Sequence, residues 1–195
     1  KSTLSYWLRE LPLSEKRILE LRRRGWSAGE AGREKFRITM RRRKEAKAKT
    51  IYQEQKNKFK SLSQDVLLVA GLMLYVGEGD KKNPARIGLA NTDPWVVTFF
   101  LTWLYKFLQV KKKEVRVELH LYENMDIAVE TKFWQDKLKL PKGQFYKTQI
   151  RKLSQSSFSY RESFRHGTCS ILVSGVARKI KLMMMIKAFS DLHSR

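Results

Sequence analysis

At 195 residues, with 42% apolar and 11% aromatic side chains, the chain allows one domain of ordinary size with a real core, plus an appendage. Lys and Arg number 41 against 19 Asp and Glu, and the net charge of +22 points away from small-metabolite chemistry and towards a polyanion, most simply nucleic acid. A single Cys169 and three scattered histidines exclude an internal disulfide and the usual zinc spacings, and with no transmembrane run or signal peptide in view no membrane partner is expected.

Lys1 is not a natural start, so preceding sequence is expected. Residues 1–13 predict a short helix stopped by Pro12. Leu4, Trp7, Leu8 and Leu11 form its apolar stripe, leaving Ser2, Thr3, Ser5, Tyr6 and Arg9 outside. The string Ser2-Thr3-Leu4-Ser5-Tyr6-Trp7-Leu8 resembles the recognition helix of helix-turn-helix proteins of the resolvase and repressor type. That resemblance implies DNA contacts by Ser2, Thr3 and Tyr6, with the first helix and the turn lying before Lys1.

Ser14 is placed to cap a second helix, expected to close at Arg22-Arg23-Arg24-Gly25. From Ala28 to Lys60 there is no proline and no continuous apolar stripe. Residues 1–60 hold 19 basic and 7 acidic side chains, a net +12 of the total +22. The stretch reads either as a solvated linker helix or as a basic helical arm with Arg41, Arg42 and Arg43 on DNA phosphates. The charge favours the arm, because like charges at this density repel unless a polyanion neutralises them. The expected organisation is residues 1–25 as the partial helix-turn-helix-like segment, 26–62 as the arm and 63–195 as the globular domain.

Ser63 marks the next helix start, with Asp65 in the first turn. Every residue from Val66 to Val76 except Gly71 is apolar, which predicts a helix buried on all sides. The small pair Ala70-Gly71 lets a second backbone come close. The run ends in Gly77-Glu78-Gly79, putting a carboxylate at a helix C-terminus, where only a cation makes it comfortable. Gly71, Leu74 and Glu78 share one face.

Asp80–Pro84 then reads as a turn, and Ala85–Asn91 as a strand with Ile87 and Leu89 inward and Arg86 and Gly88 outward. Asp93 caps, and Pro94 opens, an aromatic helix to about Gln109. Glu114–Tyr122 alternates without error, Val115, Val117, Leu119 and Leu121 on one face and Arg116, Glu118, His120 and Tyr122 on the other. A helix at about Asp126–Leu138 follows. A strand from Phe145 to Lys152 should aim Lys147, Gln149 and Arg151 together, ahead of a polar loop at Ser154–Gly167. A last strand, Thr168–Ser174, carries Cys169 as a small hydrophobe and feeds a closing helix from Val176 to about Leu192. The order from Ser63 is α-β-α-β-α-β-β-α, an α+β domain whose sheet has one wet face.

The string Leu74-Tyr75-Val76-Gly77-Glu78-Gly79 resembles the end of the LAGLIDADG homing-endonuclease motif, in its Gly-Glu-Gly variant. Met73 stands where that family usually has glycine, and Val76 where it often has aspartate. Asn91-Thr92-Asp93-Pro94 before an aromatic helix is similar to the same family. The resemblance covers roughly residues 63–192. It implies an αββαββα half-domain, reached through a short strand hidden at Asp80–Pro84 and one extra helix, with an antiparallel saddle sheet riding in the major groove. It further implies a motif helix packed on its twin, with Ala70, Gly71 and Leu74 at a homodimer interface. Glu78 would be the catalytic and metal-binding carboxylate, holding Mg²⁺ if the protein cuts. On the wet face, Arg86, Arg116, Glu118, His120, Lys147, Gln149 and Arg151 become candidates for contacting DNA.

Three functions follow from these readings. The first is a double-stranded DNA-binding homodimer on an endonuclease-like scaffold, possessing a regulatory rather than a cutting role. The second is an active Mg²⁺-dependent homodimeric endonuclease, and the third a basic RNA-binding or structural protein. Each fits a prokaryotic or phage-encoded chain in the cytoplasm, associated with the nucleoid.

Overall fold

A computed structural model describes residues 13–152 and 166–193. The recognition-type helix expected at residues 1–13, with Ser2, Thr3 and Tyr6, lies outside the described residues, as does most of the polar loop before His166. The chain divides into two units, Lys1–Ser61 and Leu62–Arg195.

The first unit contains one helix, α1 (Glu15–Phe59), capped by Ser14, whose side chain accepts from the Arg17 amide. The stop expected at Gly25 does not occur, because Gly25 keeps a right-handed backbone and the helix runs through it. A glycine in an exposed helix costs about 1 kcal/mol. Here the flanking Arg, Lys, Glu and Ala residues, all good helix formers, carry the helix past it.

The second unit is α+β, with four helices and a four-stranded mixed sheet among the described residues. The elements are α2 (Gln64–Glu78), β1 (Arg86–Asn91), α3 (Pro94–Phe107), β2 (Val115–Tyr122), α4 (Ile127–Leu138), β3 (Gln149–Arg151), β4 (Thr168–Ser174) and α5 (Val176–His193). This is the α-β-α-β-α-β-β-α order read from the sequence. Asp93 and Asp126 cap α3 and α4 by accepting the amides of Trp95 and of Ala128 and Val129.

The sheet order is β1-β4-β2-β3, and β4 is antiparallel to both neighbours. The sheet is not purely antiparallel, since β3 runs parallel to β2. Nor does Asp80–Pro84 form a strand; only Gly79 makes a single bridge to Leu89, and the chain then turns. Asp80 organises that turn, its carboxylate accepting the amides of Lys82 and Asn83.

The expected alternation of β2 is observed residue by residue. Its apolar face, with Ile87 and Leu89 of β1 and Cys169, Ile171 and Val173 of β4, joins Leu72, Tyr75, Phe100, Trp103, Leu104, Trp134 and Leu182 from the helices in one core. Burial pushes the Cys169 thiol up, so it behaves as the small hydrophobe expected.

α2 is not buried on all sides. One side, Gly71, Leu72 and Tyr75, enters the core. On another, Val66 is 50% and Met73 39% exposed, with Ala70 and Gly77 in line between and after them. Among the described residues of this unit, α2 packs chiefly against α3, β1 and α5.

Candidate nucleic-acid interface

The sheet face opposite the core carries the polar side chains. Cross-strand register places Arg86 beside Ser174, Ala90 beside Ser170 beside Glu118, and Gly88 beside Leu172 beside Arg116. His120 sits between Thr168 and Gln149, and Tyr122 beside Arg151. Alternation therefore brings Arg86, Arg116, Glu118, His120, Gln149 and Arg151 onto one face. Lys147 is exposed but precedes β3, which is confined to Gln149–Arg151 rather than running from Phe145. A three-residue edge strand has too little alternation to mark its faces in the sequence.

A polar run crosses this face. Gln149 Nε2 donates to Glu118 Oε1 at 2.5 Å, and Glu118 Oε2 stands 3.6 Å from His120 Nε2. His120 Nδ1 is buried with no hydrogen-bond partner among the described residues, and so is Arg86 Nε. Arg116 folds back onto its own segment, donating to the carbonyls of Lys113 and Val115.

The tip of α2 opens onto the same face. Glu78, Asp80, Arg86 and Glu118 line a recess of about 260 Å³, floored by Gly88, Ala90, Ser170 and Leu172. Glu78 is exposed, and the Arg86 guanidinium stands 3.9 Å from the Asp80 carboxylate. Among the described residues no group of three or more His, Cys, Asp or Glu is placed to hold a metal ion.

What holds the tip was not visible in the sequence. Tyr75, fully buried, donates its hydroxyl proton to the Asp80 carbonyl, and Lys179 of α5, only 3% exposed, donates to that hydroxyl at 2.7 Å and to the same carbonyl at 2.5 Å. Burial, with the Asp80 carboxylate adding to it, pushes the Tyr75 hydroxyl up to about 12. Burial also pulls the Lys179 ammonium below its usual value, against a smaller opposing effect of Asp80. Gly79 closes over this cluster; a Cβ there would lie 2.4 Å from the Tyr75 ring. A lysine on a mixed helix such as α5 carries no sign of burial in its spacing.

The three residues expected at a helix–helix seam separate. Ala70 is exposed and Leu74 half-buried. Gly71 turns inward, where a Cβ would lie 2.2 Å from the Trp103 indole, whose Nε1 donates to the Leu68 carbonyl. The close approach anticipated at Gly71 is thus made by Trp103 of the same chain. The outward stripe is Val66, Ala70, Met73 and Gly77, at spacings of four, three and four.

In the first unit Arg41, Arg42 and Arg43 are exposed on α1. Among the described residues no single helix is long and apolar enough to cross a membrane. The chain matches no protein-family model, no curated protein and no solved structure.

Proposed function

We propose that the protein binds double-stranded DNA as a homodimer, its open sheet face against base edges and the basic helix α1 on phosphates. The observation that carries this reading is the coincidence of Arg86, Arg116, Glu118, His120, Gln149 and Arg151 on the sheet face opposite the core, in a chain of net charge +22. Arginine, glutamine and glutamate are the side chains whose donors and acceptors match base edges in a major groove. Two polar atoms on it, His120 Nδ1 and Arg86 Nε, are buried without a hydrogen-bond partner among the described residues, and a base edge or phosphate offers one.

The homodimer rests on α2. Val66, Ala70, Met73 and Gly77 form an apolar stripe that is exposed among the described residues, and Ala70 and Gly77 leave room for a second backbone. Two copies joined there would bring their Glu78 tips and recesses close, on a scaffold like that of the LAGLIDADG endonucleases. Sedimentation of the protein with a labelled duplex tests this reading. Two chains per duplex are expected, and a one-to-one complex at saturating protein contradicts the dimer.

A second reading is Mg²⁺-dependent cleavage. It is favoured by Glu78, Asp80 and Glu118 lining one recess at the tip of α2. Because the two-metal route needs carboxylates converging on the ions, this reading has the Glu78 carboxylates of two chains share them. Wild type should then nick supercoiled plasmid bearing the target only with Mg²⁺, and Glu78→Gln should not, while DNA affinity is unchanged or higher. Wild type that leaves its genomic target intact removes cleavage and leaves the regulatory DNA-binding protein.

A further inference from the structure

We infer that the segment Arg37–Lys49 of α1 enters the major groove of B-form DNA, rather than lying along one phosphate backbone. The inference rests on the duplex-binding reading above and goes beyond it in naming where the arm sits. It starts from how charge is distributed along the helix. In its N-terminal half Glu20, Glu30 and Glu34 are each paired with local arginines. Glu20 takes Arg17 and Arg24 at 2.8 and 3.0 Å, Glu30 takes Arg33 at 2.9 Å, and Glu34 takes Arg37 at 3.3 Å. From Arg41 onward the pattern changes. Arg41, Arg42, Arg43, Lys44, Lys47 and Lys49 are all exposed, and none makes an ion pair among the described residues.

These cations are not on one side. An α-helix has about 3.6 residues per turn, so four successive residues go once round it. Arg41, Arg42, Arg43 and Lys44 therefore point in four directions, and Lys47 and Lys49 fill in between them. Several are also stacked at spacings of three or four, as in Arg41–Lys44, Arg43–Lys47 and Lys44–Lys47, where like charges cost a few tenths of a kcal/mol each. The arrangement is unfavourable in water and becomes favourable beside a polyanion.

The shape of that polyanion follows. A partner touching only one side of the helix leaves the far cations repelling one another in solvent. An anionic bilayer further requires an apolar side facing it. Here Ile38 and Met40, two residues apart, point to nearly opposite sides. A partner with phosphates on both flanks neutralises cations on opposite sides of the helix at once, with Glu45 the segment's one acidic residue. The B-DNA major groove is about 12 Å wide between its phosphate walls and admits a helix of roughly 10–12 Å with its side chains. The major groove of duplex RNA is too narrow for one.

Dimethyl sulfate footprinting of the full chain on duplex DNA tests this, because guanine N7 faces the major groove and adenine N3 the minor. The comparison is with a triple variant, Arg41→Ala, Arg42→Ala and Arg43→Ala, which keeps good helix formers, and with its Arg→Lys counterpart, which keeps the charge. Circular dichroism checks that α1 stays helical in both. The expected result is a patch of guanine N7 protection that the alanine variant loses and the lysine variant retains. Adenine N3 should stay reactive throughout, and duplex RNA of the same sequence should bind more weakly. A salt-dependent DNA complex whose N7 protection is the same in wild type and alanine variant overturns groove insertion alone. Equal affinity for duplex RNA does so too. No binding to any duplex overturns the underlying DNA-binding reading as well.

Discussion

The ammonium of Lys179, near the start of α5, lies 2.7 Å from the hydroxyl of Tyr75 in the last turn of α2, and both meet the carbonyl of Asp80. This contact joins the closing helix to the tip that carries Glu78. A buried charge is tolerable only while its donors are satisfied. Tyr75→Phe removes an acceptor from Lys179 and should cost roughly 1–3 kcal/mol. Lys179→Met removes the charge itself and, by the same reasoning, should cost less. The double variant should be more stable than Tyr75→Phe alone. Urea unfolding of the three variants checks this, and a Lys179→Met cost as large as that of Tyr75→Phe contradicts it.

The same pair sets an alkaline profile. The Tyr75 hydroxyl is raised from 10.0 to about 12 in the folded chain, so its contribution is fully present below pH 10 and is lost as pH rises through about 12. The Lys179 ammonium is lowered, so its penalty is present below its folded value and is relieved as pH rises towards the usual lysine value of 10.5. Stability should therefore hold or rise on approach to pH 10 and then fall. The late fall should shrink in Tyr75→Phe, and the early gain should vanish in Lys179→Met. Unfolding midpoints collected between neutral pH and pH 12 give the comparison, and identical profiles for wild type and both variants would exclude the pair as their source.

Two glycines on α2 should respond in opposite ways. Gly71→Ala drives a Cβ to within 2.2 Å of the Trp103 ring and should destabilise by about 1–3 kcal/mol, because the indole is pinned by its bond to the Leu68 carbonyl. Gly77→Ala meets no atom within 4 Å in a single chain and should stabilise the isolated helix by up to about 1 kcal/mol. If the outward stripe is the dimer seam, Gly77→Ala should nevertheless weaken dimerisation. Sedimentation equilibrium reads the two effects apart. A Gly77→Ala protein that dimerises as well as wild type places the seam elsewhere.

Base reading and phosphate contact should also separate. Gln149→Ala should relax specificity at one base pair by roughly 1–3 kcal/mol. It also frees the Glu118 carboxylate to take a new partner. Arg116→Ala should act similarly if its guanidinium leaves the Lys113 and Val115 carbonyls on binding DNA. Arg42→Ala should weaken all sequences alike. Selection on randomised duplexes distinguishes the classes, and identical profiles would deny the sheet its reading role.

The elements of the second unit were legible because their signals are local. Strict alternation marks β2, an Asp before the first helical residue marks α3 and α4, and turn residues bound β1. What escaped depended on tertiary neighbours. Gly71 announced a close approach but not that Trp103, 32 positions on, would make it. Lys179 looked like any helix-surface lysine until α5 laid it against Tyr75. Gly25 after three arginines has the pattern of a helix stop, but the usual glycine stop turns the backbone left-handed, and here it does not. The parallel pairing of β3 with β2 is set by the crossover through α4, which no pattern within Gln149–Arg151 records. On the site, the sequence marked the wet face of β2 and the Glu78 tip, but not that Asp80 and Glu118 share the recess with it.

The most direct measurement of the DNA-binding claim is the affinity of the full chain for a labelled duplex as a function of salt. Each phosphate neutralised should contribute a log–log slope of roughly −0.9, so a chain using both α1 and the sheet face should lose several orders of magnitude in affinity between about 50 and 200 mM salt. The Arg41→Ala, Arg42→Ala, Arg43→Ala variant should flatten the slope by about 3. A slope near zero, or one the triple variant leaves unchanged, contradicts duplex DNA as the partner of this basic arm.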